Sequence, residues 1–286
     1  MDIKTIGVVG AGTMGNGIAQ VSLQMGCNVI LRDIEDRFVK RGIDRIEGNL
    51  SYSVKKGKIT QDEKDDILGR LKGTTEMKDL KDADFVIEAV IEDIELKKKV
   101  FKELDEICRP GVILATNTSS MSITEISAAT SRPDKVVGMH FFNPVPIMRL
   151  VEVIRGYSTS DATVNITTEV AKKMGKIAIE VKKDTPGFVV NRVLMPYLIE
   201  AIKIVEEGIA TPEDVDKAVK NGLNYPMGPF ELMDFTGIDV LYYVTEYFYK
   251  ELNKESKWVS PNLLKTMIRA GRLGRKTGGG WYDYSK

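Results

Sequence analysis

Histidine is nearly missing from this sequence: among 286 residues there is one, His140, beside two cysteines, Cys27 and Cys108. Zinc normally takes three or four Cys or His ligands, and two isolated cysteines with one histidine offer no close-spaced pair, so no metal centre is expected. The two cysteines lie far apart among apolar neighbours and read as buried, reduced thiols. Neither sign of charge dominates, because 41 basic residues balance 41 acidic ones, which argues against nucleic acid or a membrane surface as a partner. No apolar run approaches the roughly 20 residues that span a bilayer. The opening Met1-Asp-Ile-Lys-Thr-Ile-Gly7 enters a strand pattern with no apolar leader. These absences lead to an expected cytoplasmic protein whose chemistry requires an organic cofactor or acid–base side chains.

What is present is ordinary in bulk and specific in detail. Hydrophobic residues make up 43% and charged residues 29%, and a chain of this length favours two domains over one core. Residues Thr5 to Gly15 read as a buried strand that breaks into Gly10-Ala11-Gly12-Thr13-Met14-Gly15 and then into a helical pattern. Such a loop makes a tight turn at its first glycine, brings backbone close to a pyrophosphate at the second, and packs helix on strand at the third. The helix N-terminus then offers unpaired N–H groups to the phosphates. A second strand, Asn28 to Arg32, ends in Asp33, 18 residues after Gly15, where a carboxylate can bind the adenosine ribose and repel a 2′-phosphate. NAD is the expected cofactor, with NADP kept open by Arg32 and Arg37 nearby.

Strand-like runs recur at Asp84–Val90, Val112–Ala115 and Lys135–Phe141, alternating with amphipathic stretches such as Asp93–Ile107, as a doubly wound parallel sheet requires. Residues 35–71 read as a helical hairpin projecting from that sheet, joined at Lys55-Lys56-Gly57-Lys58, its second helix opening with the box Thr60-x-x-Glu63. After a last strand-like run, Lys176–Val181, only helical patterns follow. Thr211-Pro212 and Ser260-Pro261 supply N-cap and N1 signals there. The expected fold is α/β: a Rossmann-type domain over residues 1–184 and an all-helical domain over 185–286. The aromatic cluster Tyr242, Tyr243, Tyr247, Phe248 and Tyr249 exceeds what one helix buries against its own domain. A homodimer through the second domain is therefore expected.

His140 ends an apolar run at the carboxyl end of a strand, where open α/β sheets bind ligands. A seven-residue connection returns the chain through Arg149–Arg155, where Glu152 stands among Leu150, Val151, Val153 and Ile154. A carboxylate in such a run requires a partner, and His140 is the nearest one in topology. Removing hydride from a carbinol carbon requires a base for the hydroxyl proton, and imidazole, titrating near neutrality, suits that task. A carboxylate on its second nitrogen fixes the tautomer and stabilises the imidazolium. At the preceding strand's end, Thr116-Asn117-Thr118-Ser119-Ser120 holds more hydroxyl and amide groups than capping the helix after Ser122 demands. Ser119 and Asn117 are candidates for substrate oxygen or the nicotinamide ribose.

These residues carry a resemblance. Gly-Ala-Gly-Thr-Met-Gly, Asn117-Thr-Ser-Ser120, His140-Phe-Phe-Asn-Pro-Val-Pro146, Asp184-Thr-Pro-Gly-Phe-Val-Val-Asn-Arg192, Tyr225-Pro-Met-Gly-Pro-Phe-Glu231 and Gly274-Arg-Lys-Thr-Gly278 together resemble the L-3-hydroxyacyl-CoA dehydrogenases, above all the prokaryotic short-chain type. The resemblance implies NAD-dependent, reversible oxidation of an (S)-3-hydroxyacyl-CoA. It implies His140 as base and Glu152 as its orienting partner, with Ser119, Asn143 and Asn191 at the substrate. It also implies NAD contacts at Asp33, Glu92, Lys97, Ser119 and Lys276, and coenzyme A contacts near Asn49 and Lys56. Two rival functions remain at this level. A 3-hydroxyacid dehydrogenase acting on free acids shares the glycine motif but uses a helical lysine, and a non-catalytic dinucleotide sensor would bind NADH without turnover.

Overall fold

The computed structural model describes residues 3–285. The chain divides into two compact units, Met1–Thr185 and Pro186–Lys286. The first is built on one sheet of eight strands: β1 (Thr5–Val9), β2 (Asn28–Arg32), β3 (Leu71–Thr74), β4 (Phe85–Glu88), β5 (Ile113–Thr116), β6 (Val136–Phe141), β7 (Leu150–Ile154) and β8 (Ile177–Val181). Their spatial order is β3-β2-β1-β4-β5-β6-β7-β8. All neighbours run parallel except β6 and β7, which are antiparallel. Strands β4, β5 and β6 are buried at every position, which is why they appear in the sequence as mainly apolar runs without alternation, Glu88, Thr116 and His140 excepted.

The helices of this unit are α1 (Thr13–Gln24), α2 (Asp36–Lys55), α3 (Gln61–Gly69), α4 (Ile94–Ile107), α5 (Ile123–Ser127) and α6 (Asp161–Lys173). The expected hairpin of α2 and α3 is present, and its Thr60–Glu63 capping box is complete. It does not stand off as a bare projection, however. Ile46 and Leu50 of α2 are fully buried in the sheet domain's core, and the hairpin leads into β3, a strand that Leu71-Lys-Gly-Thr74 barely signals. Only a short edge strand is needed there, and an edge strand does not require a two-sided apolar pattern.

The second unit is helical: α7 (Val190–Glu206), α8 (Pro212–Gly222), α9 (Pro229–Thr236), α10 (Ile238–Glu251) and α11 (Asn262–Arg269). Thr211 caps α8 as expected, accepting from the Asp214 amide. Ser260 does not cap α11; its hydroxyl donates to Glu246 instead, and Pro261 occupies the N-cap position. Two buried aspartates organise the unit. Asp216 accepts from the amides of Phe230 and Glu231 and from the Tyr282 hydroxyl, while Asp234 accepts from the amides of Trp281 and Tyr282. These bonds tie the chain's last segment to α8 and α9. Both cysteines are buried and neither forms a disulfide; burial pushes the Cys108 thiol up to about 11, so it stays protonated near neutrality. Among the described residues no helix is long and apolar enough to cross a membrane, and no group of His, Cys, Asp and Glu is arranged to hold a metal.

Candidate active site

The strand order reverses between β1 and β4, and the loops beyond their carboxyl ends form the crevice where doubly wound sheets bind dinucleotides. The glycines of the first loop have separable causes. Gly10 has φ +102°, and a Cβ there would lie 2.5 Å from the Ala89 carbonyl oxygen; at Gly15 it would lie 1.7 Å from the Gly10 carbonyl oxygen. At Gly12 a Cβ would meet no protein atom within 4 Å, so nothing in the protein demands glycine there. Open space above that residue is what a close-lying pyrophosphate requires. No side chain caps α1 at Gly12, which leaves the first-turn amides directed at the same space.

A cavity of about 220 Å³ opens beside the loop, lined by Gly10, Gly12, Asp33, Ile34, Val90 and Ile91 among others. Ile34 and Ile91 are 66% and 73% exposed, two large apolar side chains of this cavity that offer the kind of surface a flat ring packs on. The Asp33 carboxylate accepts from the Ala11 and Ile34 amides, each at 2.7 Å, which fixes it at the rim. Arg32 donates to the Thr75 carbonyl and Arg37 pairs with Glu35, so both arginines already have other work. The residues present therefore fit a dinucleotide with an unphosphorylated ribose.

Across the crevice lies a polar cluster organised by Glu88, whose role no sequence motif marks. Its carboxylate is fully buried and accepts from Lys97 Nζ at 2.7 Å, the Val90 amide at 2.7 Å and the Thr116 hydroxyl at 2.6 Å. Lys97 is 1% exposed and also pairs with Glu92 at 3.4 Å. Glu92 in turn accepts from the Thr118 hydroxyl and from the Ser119 amide and hydroxyl. Burial pushes the Glu92 carboxyl up, but the Lys97 ammonium and these hydrogen bonds outweigh it and hold the group below the usual range. Asn117 Oδ1 accepts from the Phe141 amide at 2.9 Å and so pins the end of β6.

That end carries His140. In the antiparallel register His140 faces Glu152 directly, and Nδ1 lies 2.7 Å from Glu152 Oε2. Glu152 is fully buried and His140 is 5% exposed. With the carboxylate accepting from Nδ1–H, the ring's basic lone pair is on Nε2. On the other side of β6's exit, Asn143, Pro144, Val145 and Pro146 form one wall of a cavity of about 520 Å³, and Thr13, Arg45 and Asn49 belong to the opposite side. Arg45 had no sequence signal beyond its charge on α2. Lys56 lies 5.5 Å from the Tyr52 ring, at the C-cap of α2, beyond the cavity-lining Arg45 and Asn49 in mid-helix.

A family model described as 3-hydroxyacyl-CoA dehydrogenase, NAD binding domain, matches residues 5–185, and one described as 3-hydroxyacyl-CoA dehydrogenase, C-terminal domain, matches residues 187–284. The chain belongs to the 3-hydroxyacyl-CoA dehydrogenase family. A 3-hydroxybutyryl-CoA dehydrogenase of Clostridioides difficile is 47% identical over 98% of this chain and 99% of that protein. A 3-hydroxyadipyl-CoA dehydrogenase of Escherichia coli is 42% identical over 99% of this chain and 60% of that protein. The crystal structure of (S)-3-hydroxybutyryl-CoA dehydrogenase from Ralstonia eutropha superposes with a TM-score of 0.97 at 48% identity, covering all of both chains.

In this 3-hydroxyacyl-CoA dehydrogenase, the first unit brings together Gly10 to Gly15, Asp33, Glu92, Lys97, Asn117, Ser119, His140, Asn143 and Glu152. Asn191 and Lys276 belong to the second unit. Asn191 stands second in α7, whose N-cap is Val189, so it is not the cap. Lys276 is held by both carboxylate oxygens of Asp239 at 2.6 Å. The cofactor half yields a direct expectation. Asp33→Ala removes the ribose carboxylate and the anchor of the Ala11 amide, so NADH binds several-fold more weakly and the preference against NADPH falls. Parallel titrations with the two cofactors test this, and an unchanged ratio would assign the ribose to another residue.

Proposed function

We propose that this protein catalyses the NAD-dependent, reversible oxidation of a short-chain (S)-3-hydroxyacyl-CoA, 3-hydroxybutyryl-CoA in the first instance, to the 3-oxoacyl-CoA. The observation that carries the reading is the buried His140–Glu152 pair at the mouth of a dinucleotide crevice. Bound NAD supplies the hydride acceptor. His140 Nε2 takes the hydroxyl proton in oxidation and returns it in reduction, while Glu152 holds Nδ1–H and stabilises the imidazolium. Ser119 and Asn143 supply hydrogen-bonding groups for the reacting oxygens. Lys97, Glu92 and Asp33 hold the cofactor, and Lys276 is a further cofactor residue. Asn191 serves the substrate, and Asn49 and Lys56 the coenzyme A handle.

The test is acetoacetyl-CoA reduction followed by absorbance with NADH and NADPH in parallel, against 3-oxoadipyl-CoA and free acetoacetate. Turnover of acetoacetyl-CoA with NADH preferred supports the reading. A preference for the dicarboxylic thioester would move the substrate toward the longer chain, and activity on the free acid alone would overturn the thioester assignment. NADH binding with no turnover of any of them would leave a sensor.

The same reading includes a cytoplasmic homodimer. Ile238, Leu241, Thr245 and Phe248 of α10 are buried in its own unit, and Tyr242, Tyr247 and Tyr249 pack partly buried against the same core. Val240 and Tyr243, on the same helix, are 49% and 66% exposed, and Phe235 at the end of α9 is 57% exposed. Such a patch is suited to a two-fold contact between copies. Light scattering at micromolar concentration should return the dimer mass, and Tyr243→Glu should shift it toward monomer; a monomeric wild type would sink the proposal.

A further inference from the structure

The turn that bears Asn143 is short of its own donors. Pro144 and Pro146 have no N–H. Its internal bonds are those from the Ile147 and Met148 amides to the Pro144 carbonyl, at 3.0 and 2.9 Å. The carbonyls of Val145 and Met148 both accept from a single side chain, Lys176 Nζ, at 2.5 and 2.9 Å. Lys176 is 8% exposed, and among the described residues it makes no ion pair. Burial alone holds its ammonium below the usual lysine range. An uncompensated cation is a costly way to fill interior space, which a methionine would fill without desolvating a charge. What the ammonium adds is donors, and both acceptors lie in this turn.

We propose that Lys176 is a positioning residue for the substrate side of the site: by tying the Val145 and Met148 carbonyls it fixes Asn143 and Pro144, and so the groove they line. The turn is clamped from two directions. Lys176 holds it from the start of β8, the strand paired with Glu152-bearing β7. Opposite, α1 approaches so closely at Gly17 that a Cβ there would lie 2.8 Å from Val145 Cβ. Among the described residues no hydrogen bond or ion pair joins the lysine to the cofactor loop or Asp33, so releasing it bears directly on one half of the site. This inference rests on the reading of the Asn143 groove as the thioester side.

The experiment compares Lys176→Met with wild type by steady-state kinetics on acetoacetyl-CoA and by fluorescence titration with NADH alone. A turn free to move by about an ångström costs roughly tenfold to a hundredfold in kcat/KM, more in kcat than in KM, while the NADH Kd stays within twofold. If kcat/KM stays within twofold of wild type, or if NADH affinity falls in the same proportion, Lys176 is not a positioning residue of the substrate side. Should Lys176→Met not fold, Lys176→Gln, polar but shorter, takes its place with the same two readouts and the same criteria. Wild-type turnover of acetoacetyl-CoA is measured first, because its absence sinks the thioester reading and leaves the lysine question to be read separately.

Discussion

His140→Ala lowers turnover of acetoacetyl-CoA by a factor of about 10²–10⁴, the contribution of a positioned general base, and leaves the NADH Kd nearly unchanged. The two effects separate because the cofactor crevice is formed by Gly10 to Gly15, Asp33 and the Glu88 cluster, none of which uses the imidazole. Alanine also leaves the buried Glu152 carboxylate without its Nδ1 donor, so stability falls as well as rate. His140→Gln separates the two losses. Its amide still offers a donor to Glu152 but has no basic nitrogen, so turnover falls as far while the melting temperature recovers. Stopped-flow reduction and thermal unfolding on both variants check this. Near-full turnover in either would reduce His140 to a core side chain satisfied by one hydrogen bond.

Most of the machinery is visible in the residues because its physics is local. The glycine loop, its strand and the following Asp33 form a contiguous unit, and Gly10 and Gly15 each answer to a close backbone contact, while Gly12 faces open space. Glu152 was legible as a carboxylate in an apolar run, and a short connection between two strands makes His140 its opposite number in register. Glu88 had the same signal, a charge within Phe85-Val-Ile-Glu-Ala-Val90, but two of its partners come from other elements. The Val90 amide is local, whereas Lys97 and Thr116 meet the carboxylate only once β4 and β5 pair and α4 folds back over them. Lys176 is harder still, since its acceptors are backbone carbonyls and leave no trace in side-chain pattern. β3 escaped notice for the opposite reason: an edge strand of four residues bears too little hydrophobic load to announce itself.

Glu88 also sets the largest expected effect on stability. Its carboxylate is fully buried and Lys97, 1% exposed, supplies its only ammonium among the described residues, 2.7 Å away. Lys97→Met keeps the volume and the apolar stem but leaves that carboxylate facing only the Val90 amide and the Thr116 hydroxyl. Stripping one partner from a buried pair costs about 3–5 kcal/mol, far above the median for exposed ion pairs. For a folding unit of this size each kcal/mol shifts the melting temperature by about 2–4 °C, so a fall on the order of 10 °C is expected. Adding Glu88→Gln to Lys97→Met removes the uncompensated charge and recovers a substantial part of the loss, although an amide replaces one acceptor with a donor facing Val90 or Thr116. The expected order of thermal midpoints is therefore wild type, then the double variant, then Lys97→Met. The surface pair Lys40–Asp44 serves as the control, because Lys40→Met there changes stability by less than about 1 kcal/mol. If Lys97→Met melts within a degree or two of wild type, the carboxylate and ammonium do not depend on each other, and Glu88 is held by its neutral donors alone.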